Sequence, residues 1–270
     1  MRALATSAKK HLGGGAWAAA AFAAAAAWGG DFTAEDSSWD AVYTEAETWV
    51  GLNGGTNFTK WDVRQGDAAN VVDDFSDEPA NMGEFTLSSE DGSEVGVGRD
   101  MAQALTSGTL KIDIWHGTWM DDFRGVAVYG TEQNELLRWG VRLDGFYYSL
   151  NGGGDYTLIP DGNFKPMASV TYMLTWNSLE SGLQFTLDGG DLDWSPFTVP
   201  TVVEGARAVG GVGVLVSGTE KDAQGKELAG MAFDNVSVTG ETVPEPGTVG
   251  LLLAGAAAVA GLRRRRTGRE

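Results

Sequence analysis

The chain contains no cysteine, which excludes disulfide bonds, thiolate catalysis and cysteine-ligated zinc or iron–sulfur sites. Histidine is almost as scarce. One of the two histidines, His11, lies in the N-terminal segment, and only His116 remains to support a His-rich zinc site or a Ser-His-Asp arrangement. No phosphate-binding loop or dinucleotide fingerprint follows a predicted strand, and no long amphipathic helix pattern occurs within residues 29–240.

Basic residues are few in the middle of the chain. Between Trp28 and Pro244 there are 11 basic and 35 acidic residues, a net charge of −24. Such a body repels nucleic acid and anionic lipid, so no nucleic-acid partner is expected. Neutral sugars or divalent cations fit this charge better.

The N-terminus has the layout of a secretory signal peptide. Basic residues (Arg2, Lys9 and Lys10) precede a twelve-residue apolar stretch, Ala16 to Ala27, whose small residues offer Ala-x-Ala cleavage. We therefore predict a signal helix over residues 1–28. A buried alanine-rich helix is the alternative.

The C-terminus predicts a transmembrane segment. Pro246 to Leu262 is a run of 17 residues without charge, at the lower limit for a spanning helix. Four arginines follow it directly, and such a cluster resists translocation and stops transfer across the membrane. They are Arg263, Arg264, Arg265 and Arg266.

This C-terminal pattern resembles the PEP-CTERM protein-sorting tail: a Pro-Glu-Pro turn, an apolar segment and an arginine cluster over residues 241–270. The resemblance implies that Pro244, Glu245 and Pro246 form the motif near which a membrane-embedded exosortase processes the protein. It also implies an exported protein that is anchored in the cytoplasmic membrane in transit. Its destination would be the cell surface or extracellular matrix of a Gram-negative-type bacterium that makes exopolysaccharide. A plain anchor that is never cut is the alternative.

The middle of the chain alternates apolar and polar residues with period two. Thr109–Trp115, Leu137–Leu143 and Val170–Trp176 each place apolar side chains on one face, and Asn-Gly and Asp-Gly pairs separate such runs. This pattern predicts an all-β antiparallel sandwich over residues 29–240. The acidic stretch 73–94 is predicted as a loop.

The body also resembles concanavalin-like and LamG-like jelly-roll domains. The resemblance rests on three segments, Gly54–Trp61, the hairpin Tyr172–Gly190 and the closing run Phe233–Val238. It implies two antiparallel sheets with the first and last strands adjacent.

Some jelly rolls of this kind are glucanases, which predicts a specific pattern of residues. The laminarinase-like family carries two glutamates around an Ile-Asp-Ile core, because retaining hydrolysis needs two carboxyl groups. In this chain Lys111 and His116 stand where those glutamates would be. We therefore expect the protein not to be an enzyme of that type.

A sugar site is the next hypothesis, since tryptophan faces stack on pyranose rings. Trp139 shares a face with Leu and Val and is predicted to point inward, whereas Trp115 shares a polar face with Asp113. Asp113, Trp115, Trp119 and Arg142 form the predicted ligand patch. The alternative is that Trp115 caps the sheet edge or packs under a loop.

A structural calcium is the only cofactor that the sequence suggests. Asp188, Asp191 and Asp193 cluster in a turn, and calcium takes six to eight oxygen ligands, but the spacing does not match an EF-hand loop. A solvated turn in an acidic protein is the alternative.

These observations predict an exported, non-enzymatic protein with a structural or adhesive role in exopolysaccharide. A lectin-like module with a defined sugar site and a polysaccharide-active enzyme with an unrecognised site are the alternatives.

Overall fold

The computed structural model describes residues 31–43, 46, 48–75, 84–115, 120–143, 145–152, 154–163, 169–189, 195–217 and 231–242. These residues belong to one compact unit, Asp31–Val243. They form fifteen strands and a single 3₁₀ turn, Ala68–Asn70. The strands are β1 (Asp31–Asp36), β2 (Asp62–Gln65), β3 (Val71–Phe75), β4 (Phe85–Ser89), β5 (Val95–Trp115), β6 (Met120–Tyr129), β7 (Glu135–Leu143), β8 (Gly145–Leu150), β9 (Thr157–Asn163), β10 (Ser169–Ser178), β11 (Gly182–Asp188), β12 (Phe197–Thr198), β13 (Val203–Glu204), β14 (Val209–Val216) and β15 (Met231–Thr242).

The long strand β5 belongs to two sheets. Its first half pairs with β14 and β2, within a first sheet of order β2-β5-β14-β6-β7-β8-β9. Its second half pairs with β10 and β15, within a second sheet that continues to β11 on one side and to β1 and β4 on the other. Every pair is antiparallel, and the first strand lies beside the last. The predicted all-β antiparallel fold is confirmed.

The two sheets pack face to face around one core. The ring of Trp139 on β7 lies 4.5 Å from that of Tyr172 on β10, and Phe146 on β8 lies 5.8 Å from the same tyrosine. Trp139 and Trp176 are fully buried, as the alternation predicts. On β7 this inward set leaves Arg142 on the outer face of the first sheet.

A second aromatic group fills the end of the core near β4 and β15. Trp49 lies 5.3 Å from the rings of Trp61, Phe85 and Phe233, and the contacts with Trp61 and Phe233 are edge-to-face. The Trp49 indole N–H donates to the carbonyl of Thr86 at 2.9 Å. Aromatic contacts of this kind add stability beyond the buried area. They fasten the irregular segment between β1 and β2 to the sandwich.

Arg99 of β5 is also part of this core and is completely buried. Its guanidinium pairs with the carboxylate of Asp36, donates to Asn53 Oδ1 at 2.8 Å and to the Gly54 carbonyl at 2.9 Å, and lies 4.6 Å from the ring of Phe58. Burial lowers the pKa of Arg99 and raises that of Asp36, and in each case it outweighs the attraction of the partner. The pair is therefore costly to desolvate, and its role is to join β5 to the end of β1.

The structure corrects one prediction made from the sequence. Residues 73–94 are predicted as a loop, but β3 and β4 enter this stretch, and β4 pairs with β15. The predicted signal helix and the predicted transmembrane helix both lie outside the described residues. No helix among the described ranges is long and apolar enough to cross a bilayer.

The Arg99–Asp36 pair makes a stability prediction. Arg99→Met leaves the Asp36 carboxylate buried without its cation and should destabilise the protein by about 3–5 kcal/mol. Urea denaturation followed by far-UV circular dichroism measures it. The control, Lys60→Met, removes the exposed pair with Asp62 and should cost less than about 1 kcal/mol. A cost for Arg99→Met as small as that of the control would contradict this role.

Candidate functional site

A cleft of about 380 Å³ opens beside the end of β1, within the size range of ligand pockets. Four pieces of chain form it: the end of β1, the turn that follows, a short loop before β2 and the middle of β15. We call it the Trp39 cleft, after the tryptophan on that turn. Its lining residues are Glu35, Asp36, Ser37, Asp40, Gly55, Thr56, Asn235, Val236 and Ser237.

Trp39 stands out because it is 72% exposed to solvent. It lies on the turn between Ser37 and Asp40, two residues of the cleft lining. Backbone bonds shape this turn: the Asp40 N–H donates to the Ser37 carbonyl at 3.0 Å, and the Tyr43 N–H donates to the Asp40 carbonyl at 2.9 Å. Tryptophan is usually well buried, so an exposed indole beside a polar cleft makes this surface a candidate for binding.

The turn is held from β15 by a buried carboxylate. Asp234 is only 5% exposed. Its Oδ1 accepts the backbone N–H of Ser38 at 2.8 Å, and its Oδ2 accepts the hydroxyl of Ser37 at 3.4 Å. The residue before Trp39 is thereby fixed to the sheet. A site held in this way binds without the entropy cost of ordering a free loop.

Tyr43 anchors the other end of the turn. Its hydroxyl donates to Asp36 Oδ2 at 3.0 Å and accepts the Gly54 N–H at 3.0 Å. Burial, and then the negative charge of Asp36, raises the pKa of Tyr43 to about 12. The phenol therefore stays neutral and keeps donating at physiological pH. The cleft is tied to the Arg99–Asp36 pair through this bond.

Gly55 is required where the wall of the cleft approaches β1. Its φ is +71°, and a Cβ at this position would lie 2.0 Å from the Glu35 carbonyl oxygen. The close approach lets Thr56 exchange backbone hydrogen bonds with Glu35, at 2.8 and 3.3 Å. Any side chain at position 55 would open this wall.

Asn235 lies where β15 bulges, between Asp234 and Ser237, and has a φ of +52°. Bulges commonly redirect side chains at functional sites. The Asn235 amide donates to Asp113 Oδ2 at 2.9 Å, and the Thr171 hydroxyl donates to Asp113 Oδ1 at 2.6 Å. Asp113 thus contacts the cleft through Asn235, and both of its oxygens are occupied.

A group of carboxylates continues from the cleft along the outer face of the second sheet. Burial, then the neighbouring charges of Asp234 and Asp113, raises the pKa of Glu84. One oxygen of Glu84 is buried and accepts no hydrogen bond from the described residues. Burial is the larger cause of this shift, and the charges of Asp234 and Asp113 add to it.

The structure separates the ligand patch predicted from the sequence. Asp113 and Trp115 lie on β5 in the second sheet, where Trp115 is half-buried and its neighbour across the ladder is Ala232. Arg142 lies on β7 in the first sheet, with its guanidinium 4.7 Å above the ring of Tyr156. These two outer faces belong to different sheets, so Arg142 does not join Asp113. Trp119 lies outside the described residues.

The outer face of the first sheet carries its own buried ion network. Arg138 donates to Glu135 at 2.6 and 2.7 Å and to Glu94 at 2.7 and 2.8 Å. Burial alone would lower the pKa of Arg138, but the hydrogen bonds and charges of the two carboxylates raise it. All three guanidinium nitrogens of Arg138 donate hydrogen bonds, and the residue is only 3% exposed. Arg138 therefore has a structural role on this face.

The predicted calcium site stays a prediction. Asp188 ends β11, whereas Asp191 and Asp193 lie outside the described residues. Within the described ranges, no group of three or more acidic, histidine or cysteine side chains is arranged to hold a metal ion.

The sequence reasoning missed Trp39 and the carboxylates beside it, Glu35 and Asp40. Trp39 and Asp40 lie on a turn that has no period-two alternation, and on β1 the alternation marks Glu35 only as an exposed residue. A signal was nevertheless present: Trp39 stands in Asp-Ser-Ser-Trp-Asp, surrounded by turn-forming polar residues that offer it no apolar neighbour.

Comparison with known proteins addresses the tail. Residues 242–266 match the family model of the PEP-CTERM protein-sorting motif. The predicted sorting tail is confirmed. This motif indicates an exported protein that exosortase sorts to the cell surface. No curated protein matches the chain.

Several solved structures are similar to this chain at low sequence identity. The CBM2 module of the evolved Dit of Lactobacillus casei BL23 phage J-1 is 11% identical, with a TM-score of 0.44, over 78% of this chain and 98% of that chain. A cellulose-induced protein is 13% identical, with a TM-score of 0.45, over 66% and 90%. Lectin II from Ulex europaeus is 8% identical, with a TM-score of 0.43, over 79% and 98%.

The raised pKa of Glu84 predicts a pH-dependent effect of Glu84→Gln. A carboxyl group with a raised pKa stabilises the fold fully below its unfolded pKa, and this contribution is lost as pH rises through the folded pKa. Glu84→Gln should therefore gain stability over the native protein as pH rises from 4 to 7, by less than about 1 kcal/mol because the group is partly exposed.

Urea denaturation at each pH measures this difference. Glu90→Gln, which alters an exposed carboxylate just after β4, is the control and should change stability by no more than about 0.5 kcal/mol. A stability difference for Glu84→Gln that shrinks toward neutral pH would refute the assignment.

Proposed function

We propose that this exported protein is a non-enzymatic, adhesive component of the cell surface that binds extracellular polysaccharide through the Trp39 cleft. The observation that carries the proposal is the exposed indole of Trp39 on a turn fixed to the sheet beside a polar cleft. Sugar-binding sites combine these two elements, an aromatic face and a small number of placed polar groups.

Each part of the cleft has a role in this proposal. The indole face of Trp39 stacks on the C–H surface of a pyranose ring. The carboxylates of Glu35 and Asp40 accept hydrogen bonds from sugar hydroxyls, and the hydroxyls of Thr56 and Ser237 both donate and accept. Such a set of contacts binds one or two sugar units of a longer chain. Adhesion to a polymer then follows from many weak sites on many copies.

The proposal that the protein is not an enzyme rests on the face predicted for catalysis. Lys111 lies on this face of β5, at one of the positions where the glucanases resembled by this segment carry glutamate. Asp113 has hydrogen bonds to both oxygens, from Thr171 and Asn235, and so holds the bulge of β15. These roles are structural.

One observation favours a glycoside hydrolase as a second candidate. Glu84 has a raised pKa beside the carboxylates of Asp234 and Asp113, and a general acid beside a carboxylate is what glycoside hydrolysis uses. In that case Glu84 would be the acid, and new reducing ends would appear when the protein meets its polysaccharide.

For the tail we propose anchoring followed by cleavage. The 17-residue apolar segment holds the exported precursor in the membrane, and Arg263, Arg264, Arg265 and Arg266 stop its transfer. Exosortase then recognises Pro244, Glu245 and Pro246 and releases the body to the surface.

Mass spectrometry of the protein recovered from the host's surface tests this processing. We expect a C-terminus near residues 244–246 and a loss of membrane retention when the four arginines are replaced by serine, because neutral side chains no longer stop transfer. Replacing Arg269 alone is the control and should change neither result. An intact C-terminus on the surface form would favour the uncut anchor.

Trp39→Ala tests the sugar site. Loss of one stacked indole should weaken binding to the host's polysaccharide about tenfold, since about 1.4 kcal/mol corresponds to a factor of ten. Sedimentation with the insoluble polymer measures the bound fraction. Val42→Ala is the matched control, because Val42 is an exposed apolar residue close to the same turn and has no aromatic face to stack on a sugar ring.

The same incubation separates the two candidate functions. Trp39-dependent binding without new reducing ends is expected of the adhesive protein. New reducing ends that disappear with Glu84→Gln would support the hydrolase instead. Unchanged polysaccharide binding by the Trp39→Ala variant would show that the Trp39 cleft is not the binding site.

A further inference from the structure

We infer that the Trp39 cleft selects polysaccharides that carry protonated amino sugars over neutral or uronate-containing ones. This inference rests on the proposed function, because it names the class of polymer that the same cleft would take. The observations that support it concern the charge of the cleft and of its surroundings.

The cleft contains two carboxylates that form no ion pair with the described residues. Glu35 and Asp40 line it, and neither forms an ion pair with any described lysine or arginine. Asp36 also belongs to the lining, and its Oδ1 is a buried oxygen that accepts no hydrogen bond from the described residues. The cleft therefore offers acceptors and negative charge in excess of its donors.

The surroundings reinforce this charge. Asp234 and Asp113 lie near the cleft on the second sheet, and burial, then the charges of these two carboxylates, raises the pKa of Glu84. The nearby Arg99 is completely buried and pairs with Asp36; its charge also attracts Asp40, but the two side chains form no ion pair. Lys111 lies opposite Ser237 across the ladder and is the single exposed cation on this described part of β5, so it offsets only part of the negative charge of Glu35 and Asp40.

The chemistry of the sugar follows from these charges. A protonated amino group offers three donors and a positive charge, and a hydrogen bond between ionised partners is about twice as strong as a neutral one. An N-acetylated sugar keeps the ring that stacks on Trp39 but loses this charge. A uronate adds a carboxylate next to Glu35 and Asp40, where like charges repel.

Isothermal titration of the full-length protein in non-ionic detergent tests the inference, at mildly acidic pH. The probes are three oligosaccharides of equal length: glucosamine, N-acetylglucosamine and galacturonic acid oligomers. We expect the glucosamine oligomer to bind at least tenfold more tightly than the N-acetylated one, and the uronate oligomer to show no binding. Trp39→Ala should weaken binding of both glucosamine-type probes.

The double variant Glu35→Gln/Asp40→Asn removes the charge and keeps the shape of the cleft. It should weaken binding of the glucosamine oligomer much more than binding of the N-acetylated oligomer, which loses only the stronger hydrogen bonds of ionised acceptors to its hydroxyls, and so abolish the preference for glucosamine. The control is Glu132→Gln/Glu204→Gln, which removes two charges beside a different cavity and should keep the preference. Loss of preference in this control as well would show a general effect of net charge and would overturn the inference.

The remaining outcomes separate the inference from the function on which it rests. Trp39-dependent binding without preference for the amino sugar, or with preference for either other probe, overturns the inference and leaves the proposed function standing. Absence of Trp39-dependent binding with all three oligomers overturns both.

Discussion

The buried pair of Arg99 and Asp36 is the interaction on which the rest of this molecule depends. It joins β5, at the centre of both sheets, to the end of β1, where the chain leaves the sandwich. Taking two charges out of water is costly, so the pair persists only because further donors and acceptors satisfy it, Tyr43 and Asn53 among them. The turn that carries Trp39 begins at the next residue. The position of this turn is therefore fixed by contacts with the core and not by the conformation of the turn alone.

The bulge in β15 is the second constraint. A regular strand would place Asp234 and Asn235 on opposite faces, whereas the bulge lets the first hold the Trp39 turn and the second line the cleft. The same bulge brings Asp113 into contact with Asn235. Asp234 holds the turn and Asp113 holds the bulge, and these two carboxylates add negative charge near Glu35 and Asp40 of the cleft.

Much of the fold could be predicted from sequence, because alternation reports directly on burial. Trp139 and Trp176 point inward as expected, and the antiparallel sandwich follows from such runs. The alternation of apolar and polar residues shows which face of a strand is buried, but not the sheet to which the strand belongs. The sequence therefore could not show that Arg142 and Asp113 lie on different sheets. Trp39 was missed for a related reason: its exposure depends on the bond from Ser38 to Asp234, which are 196 residues apart in the chain and meet only through tertiary folding. The sorting tail could be predicted from the sequence, because the Pro-Glu-Pro motif, the apolar segment and the arginine cluster follow one another directly along the chain.

The central claim is that Trp39, held on a fixed turn, is the surface that meets the polysaccharide. The most direct test is a titration of the ¹⁵N-labelled protein that follows the indole Nε1–H resonances by NMR. The resonance of Trp39 should move as polysaccharide is added. Those of Trp49 and Trp176, whose indoles are buried and donate to the carbonyls of Thr86 and Leu105, should stay in place. A Trp39 resonance that remains fixed while the polysaccharide binds would contradict the account.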